Sequence, residues 1–125
     1  MLFRSLRCYH ISFQEFASTV NEPLYDLIVS NPPYFHQASK PPETARMNAR
    51  HTDSLTFDEL IDGVKKLLRS SGKLCVILPY KEGMEFMDKA QRKGLFCRKL
   101  VRVRTKPDKP EKRLIMEFKI GRAHV

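Results

Sequence analysis

The chain has 125 residues, one domain's worth, with 42% apolar and 30% charged residues, enough to bury a moderate core. It has no tryptophan, no apolar run near the ~20 residues of a membrane span, and no long apolar centre in Met1 to His10, so a soluble cytoplasmic protein is expected. Lys and Arg outnumber Asp and Glu by 23 to 14, giving +9 and a pI near 9.7, which favours a polyanionic partner bound in a salt-dependent way and weighs against a purely protein substrate.

Taken in order, Leu6 to Ile11 alternates Cys8 and His10 against Arg7 and Tyr9 and predicts a strand. Ser12 to Phe16 then turns into a short helical or irregular piece, with Phe13 and Phe16 as candidate core anchors. Asn21-Glu22-Pro23 leads into Tyr25-Asp26-Leu27-Ile28-Val29-Ser30, whose continuous apolar run predicts a parallel strand buried on both faces. Pro32 and Pro33 have no N–H to give a ladder, so the strand ends at Asn31.

In an open α/β sheet, ligands bind at the carboxyl ends of the strands, which places Asn31, Pro32, Pro33 and Tyr34 in the crevice. The two prolines hold their neighbouring carbonyls still, and Asn31 adds a side-chain acceptor. Two aimed acceptors suit an NH₂ group on a planar ring or amide. Drawing on both N–H bonds makes the nitrogen lone pair less conjugated and more nucleophilic. Tyr34 offers a face on which a base stacks, typically worth ~1–3 kcal/mol. The implied chemistry is alkylation of an exocyclic amine. The plainer alternative is a strand followed by a proline turn in an unrelated α/β protein.

A long polar loop, His36 to Asp53, follows and carries Arg46, Arg50 and His51. Loops of this length are usually functional or mobile. These side chains either pair with phosphates and position a substrate or keep a solvated lid in solution. Thr56-Phe57-Asp58-Glu59 matches a capping box. Leu60, Ile61, Val64, Leu67 and Leu68 recur at helical spacing and predict a helix to about Arg69, ended by Ser70-Ser71-Gly72. Lys73 to Leu78 reads as a second apolar strand stopped by Pro79, and Glu82 to Lys93 as a helix closed by Gly94. Leu100 to Thr105 and Arg113 to Phe118 predict an antiparallel hairpin at the sheet edge, joined by the Lys- and Pro-rich loop Lys106 to Lys112. Lys106, Lys109, Lys112 and Arg113 either grip an RNA backbone or blunt the edge against aggregation. The alternation of strands and helices makes the fold α/β. Cys8, Cys75 and Cys97 have no metal or disulfide spacing, and the four histidines show none either, so no metal is expected.

Asn31-Pro32-Pro33-Tyr34 after Asp26-Leu27-Ile28-Val29-Ser30 resembles motif IV of S-adenosylmethionine-dependent amino-methyltransferases. With Phe35, the segment Ala49 to Leu55, the strand Gly72 to Pro79 and the loop Lys106 to Arg113, the chain looks like the bacterial tRNA adenine-N6 methyltransferases, which act on the adenine 3′ of the anticodon of a valine tRNA. The resemblance implies a class I, Rossmann-like sheet, S-adenosylmethionine as cofactor and tRNA as partner, with a full-length protein that is monomeric. It implies Asn31, Pro32, Pro33 and Tyr34 as catalytic residues, and Ser12, Phe13 and Asn31 beside the cofactor. It also implies Phe35, Arg46, Arg50, His51, Lys106 and Lys109 on the RNA. Glutamine N5 of a release factor, guanine N2 of ribosomal RNA and a non-catalytic RNA-binding remnant remain as alternatives.

The family's glycine-rich cofactor loop has no counterpart, because no two of the glycines at 63, 72, 83, 94 and 121 stand close enough to make one. The first strand already resembles the family's third, so residues 1–119 correspond to the C-terminal part of such a domain, with the cofactor half absent. Residues 120–125, Ile-Gly-Arg-Ala-His-Val, do not continue the pattern. Their codons can be written ATC GGA AGA GCA CAC GTC, a common sequencing adapter, so an artefactual tail is expected. A sheet short of its first strands exposes edges and apolar faces, and the isolated chain is predicted to be marginally stable and inactive.

Overall fold

The computed structural model describes residues 6–34 and 55–121. Its elements are α1 (Phe13–Ser18), β1 (Tyr25–Ser30), α2 (Phe57–Leu67), β2 (Leu68–Pro79), α3 (Tyr80–Arg92), β3 (Leu95–Val103) and β4 (Arg113–Ile120). The four strands form one sheet in the order β1-β2-β4-β3. β1 and β2 run parallel, joined through α2, while β4 is antiparallel to both β2 and β3. The expected α/β sheet with a closing antiparallel hairpin is what the chain forms, and β3 is its outer strand.

Strand alternation divides the sheet into two faces. The pairs Leu74↔Phe118, Val76↔Met116 and Leu78↔Leu114 point one way and are fully buried. The three described helices pack on this side, where Leu60, Ile61 and Val64 of α2 and Phe86 and Ala90 of α3 complete the core. Phe86 sits edge-on to both Phe57 and Phe118, with ring centroids 5.2 and 5.4 Å apart. Burying each such ring contributes ~1.5–3 kcal/mol. α1 adds a smaller cluster of Ala17 and Val20 with Leu67, against which Phe13, Phe16 and Ile28 pack.

Caps and turns place the helix ends. Thr56 and Glu59 form the expected capping box: Glu59 N–H donates to Thr56 Oγ1 at 3.0 Å, and Thr56 N–H donates to Glu59 Oε1 at 3.0 Å. Gly94 has a φ of 87°, a left-handed conformation that costs glycine nothing, and it closes the turn between α3 and β3.

Four expectations are corrected. Leu6 to Ile11 is not a strand, because an extended segment needs a ladder partner and none lies beside it among the described residues. Among the described residues β1 is an edge strand and is not covered on both faces: Leu27 is 56% and Val29 70% exposed. α2 ends at Leu67 and not near Arg69, because Leu68 turns extended to pair with Tyr25 of β1, so Leu68 to Ser71 lengthen β2. β3 begins at Leu95, five residues before the predicted start. Leu95 and Cys97 pair with Ile120 and Phe118, and a bulge between Cys97 and Lys99 breaks the alternation on which the sequence reading relied.

Candidate functional site at the carboxyl end of the parallel pair

β1 pairs with β2 as far as Ser30↔Val76, and the chain then leaves the sheet through Asn31 to Tyr34. Pro32 is buried, Pro33 half-buried, and Asn31 and Tyr34 are exposed. A buried, φ-restricted proline anchors this turn while the polar and aromatic side chains on either side face outward. The motif therefore stands where an open sheet binds its ligands.

Beside it lies an open cleft of about 1000 Å³, lined among others by Ser12, Phe13, Pro33, Leu55, Thr56 and Glu59. The structure places Ser12 and Phe13 in the same cleft lining as Pro33, while Asn31 and Tyr34 are not part of that lining. The Ser12 hydroxyl caps α1: it accepts from Glu15 N–H at 3.1 Å and donates to the Glu15 carboxylate at 3.2 Å. Phe13 is a core anchor as well as a cleft wall. Its ring lies so close over Gly63 that an added Cβ there would stand 2.3 Å from it, so the absence of a side chain at 63 seats the ring. Gln14 donates to Glu59 at 3.3 Å, tying α1 to α2 across the cleft floor. Gly63, Leu55 and Glu59 were not legible as parts of a site. Glu59 could be read as a cap, but only the tertiary structure shows what the cap stands beside.

The ring of Phe13 and the polar rim of His10, Ser12 and Gln14 suit a purine. For S-adenosylmethionine, these residues fit the adenine end, and Glu15, Thr56 and Glu59 line the same cleft. No three His, Cys, Asp or Glu side chains gather into a metal site among the described residues, and no described helix is long and apolar enough to cross a membrane.

Lys106 and Lys109 are exposed in the β3–β4 loop, where Lys109 N–H donates to Lys106 C=O at 3.1 Å. Arg104 braces this loop, donating to Glu111 at 2.8 Å and to the Pro107 carbonyl at 3.2 Å. The register Pro79↔Arg113 puts the loop at the same end of the sheet as the Asn31 turn, with β2 and β4 between. Phe35, Arg46, Arg50 and His51 lie outside the described residues.

Burial raises the Cys97 thiol above its ordinary range. Lys93 is raised by its hydrogen bond to Asp62, with Asp58 adding to the effect. Both lie away from the turn and serve the fold.

No family model matches the chain. It is 50% identical over 94 residues to a tRNA1(Val) (adenine(37)-N6)-methyltransferase of Trichodesmium erythraeum, the match covering 75% of this chain and 39% of that protein. A protein of the same name from Bacteroides fragilis is 40% identical over 106 residues, covering 85% and 45%. One from Yersinia pestis is 46% identical over 92 residues, covering 74% and 37%. The chain therefore spans less than half the length of these curated relatives. Among solved structures, a protein described as a DNA modification methylase of Thermus thermophilus superposes with a TM-score of 0.60 at 15% identity, covering 91% of this chain and 54% of that one. The M1.HpyAVI–SAM complex superposes at 0.56 and 14% identity, covering 89% and 53%. These two likenesses establish the partial Rossmann-like methyltransferase fold, and the family resemblance drawn from the sequence is borne out by the curated relatives.

Proposed function

We propose that this chain is the C-terminal, substrate-handling part of an S-adenosylmethionine-dependent methyltransferase that alkylates N6 of an adenine in tRNA. The observation that carries the reading is the 40–50% identity to proteins named for that reaction. The position of the Asn31 turn at the carboxyl end of β1 supports it, as does the charge of +9. On this reading the extended protein works as a cytoplasmic monomer.

The chemistry assigned to the chain follows from its own groups. The Asn31 side-chain oxygen and a carbonyl held by the Pro32-Pro33 backbone accept the two N6 hydrogens. This directs the nitrogen lone pair out of the ring plane. Tyr34 stacks on the adenine, which has to leave its own stack first; extrusion costs least in a loop. Ser12 and Phe13 hold the adenine end of the cofactor. When bound, S-adenosylmethionine supplies a sulfonium methyl as electrophile. The alkylated nitrogen gives up its proton readily, so no side chain need act as a strong base.

The test is methyl transfer from labelled S-adenosylmethionine to unmodified tRNA, comparing this chain with a version extended upstream to the relatives' length. Activity in the extended protein that is abolished by Asn31→Ala is the expected result. An extended protein that folds and binds cofactor yet leaves tRNA unmethylated would overturn the substrate assignment.

A further inference from the structure

The ring that gives the cleft its purine-facing wall is held by a residue that does not line the cleft. Phe13 opens α1 and is half-buried. It packs against both apolar clusters of the fold and, with Ile11, Pro33 and Leu55, supplies the apolar part of the cleft lining. Against it stands Gly63, buried in the middle of α2 and not part of that lining. A Cβ at 63 would lie 2.3 Å from Phe13 Cε2, 2.8 Å from Cζ and 3.2 Å from Cδ2, so the glycine meets the outer part of the ring. Glycine is a poor residue for a helix interior, and α2 by itself would favour alanine there.

One face of α2 fixes the start of α1, because helix residues four apart lie one above the other. Glu59 accepts from the Gln14 amide at 3.3 Å, and Gly63, one turn on, receives the Phe13 ring. The Glu59 carboxylate is itself held by the cap, accepting from Thr56 N–H at 3.0 Å and from the Thr56 hydroxyl at 3.1 Å. The Gln14 tie is exposed, whereas the Gly63 contact is steric and sets how far the ring stands from α2. Ordinary contact with a Cβ begins near 3.4 Å, so a methyl group at 63 moves the ring by about 1 Å. The ring yields away from α2 and leaves the place it holds in the cleft wall.

We propose that Gly63 is a positioning residue for the cofactor. By leaving room for the Phe13 ring, it sets the depth of the slot that takes the adenine end of S-adenosylmethionine, and so the affinity for the cofactor, without touching it. The proposal rests on the cofactor role given to Phe13 in the proposed function. It differs from plain packing in what a methyl group at 63 does. Packing alone makes the residue a support of stability, lost whatever ligand is present. Positioning makes it a determinant of purine affinity in a protein that still folds, because van der Waals contact with a ring weakens steeply over a shift of this size. The atoms met at 63 are the far end of a side chain with open cleft beside it, so the ring gives way before the fold does.

The experiment is equilibrium dialysis of labelled S-adenosylmethionine against the upstream-extended protein, with adenosine as competitor, for the wild type, Gly63→Ala, Phe13→Leu and the double variant, and with thermal unfolding followed for each. Leucine has no atoms where Phe13 carries Cε2 and Cζ, so Phe13→Leu removes the clash together with the stack. Gly63→Ala folds and weakens both ligands by the same factor, about tenfold, within the worth of one base stack. Phe13→Leu weakens them at least as much, and adding Gly63→Ala to it changes nothing further, the non-additivity of two residues that act through one contact. A Gly63→Ala variant that does not fold would make the glycine a packing residue and overturn the proposal. So would an unchanged affinity, a loss for S-adenosylmethionine that adenosine does not share, or a further loss on the Phe13→Leu background. Wild-type affinities in Phe13→Leu would remove the cofactor role of Phe13 as well, whereas weak binding by Phe13→Leu with wild-type binding by Gly63→Ala removes the role of Gly63 alone. Neither ligand requires tRNA, so a wrong RNA substrate leaves these results standing.

Discussion

The two faces of the sheet are built from the same strands and meet opposite fates. On one, Leu74, Val76, Leu78, Leu114, Met116 and Phe118 are at most 1% exposed beneath the helices. On the other, Val29, Val101 and Ile115 stand 70%, 53% and 40% exposed, with Cys75 and Ile77 between them, and no described helix packs over them. A parallel arrangement places helices on both faces, and β-branched residues on the second face are what a second layer would bury. The contrast between the faces, together with the share of the relatives' length that is matched, supports the reading of this chain as part of a longer domain. Its closed face holds the fold together, and its open face is left uncovered by the described helices.

Substitutions test that contrast in descending order of effect. Phe86→Ala removes the ring that joins Phe57 to Phe118 and should cost ~3–5 kcal/mol, measured as a lower denaturant midpoint or as outright failure to fold. Ile115→Thr in the upstream-extended protein should cost ~1–3 kcal/mol, the value of a buried aliphatic side chain. A neutral result there would mean that nothing covers the open face. Thr56→Ala, which breaks the capping box of α2, should cost about 1 kcal/mol in either length of protein. In the 125-residue chain alone, Ile115→Thr should stay within about 0.5 kcal/mol and reduce self-association in light scattering. A cost there equal to that of Phe86→Ala would erase the distinction between the faces.

The thiols extend the comparison chemically. Cys97 pairs with Phe118 on the closed face, and burial raises its thiol, so near neutral pH it stays protonated. A raised folded-state value means that this stabilising contribution is complete below the unfolded thiol's range and is lost as pH climbs through the folded one. Iodoacetamide at neutral pH should therefore label the exposed Cys8 well before Cys97, as read by mass spectrometry. Equal labelling rates would show that the closed face opens freely.

The sequence by itself determined the local events. Pro32 and Pro33 have no N–H and end β1, Thr56 and Glu59 cap α2, Gly94 closes α3, and the period of two over Arg113 to Phe118 marks β4. It also determined the Asn31-Pro32-Pro33-Tyr34 resemblance, because each of these signals lies within a few residues of the group it acts on. What depends on distant partners was decided by the tertiary structure. An apolar run cannot say whether it will be an inner or an outer strand, so β1 looked doubly buried and is an edge. Leu68 fits a helix by spacing and becomes a strand residue because Tyr25 lies beside it. Leu6 to Ile11 alternates correctly and forms no strand, since a ladder needs a second chain segment. Nor could charge counting separate the lysines and arginines that meet a carboxylate from those that do not. Neutralisation acts over a few ångströms in space between residues that in several pairs lie more than 25 positions apart, such as Arg69 with Asp26 and Lys93 with Asp62.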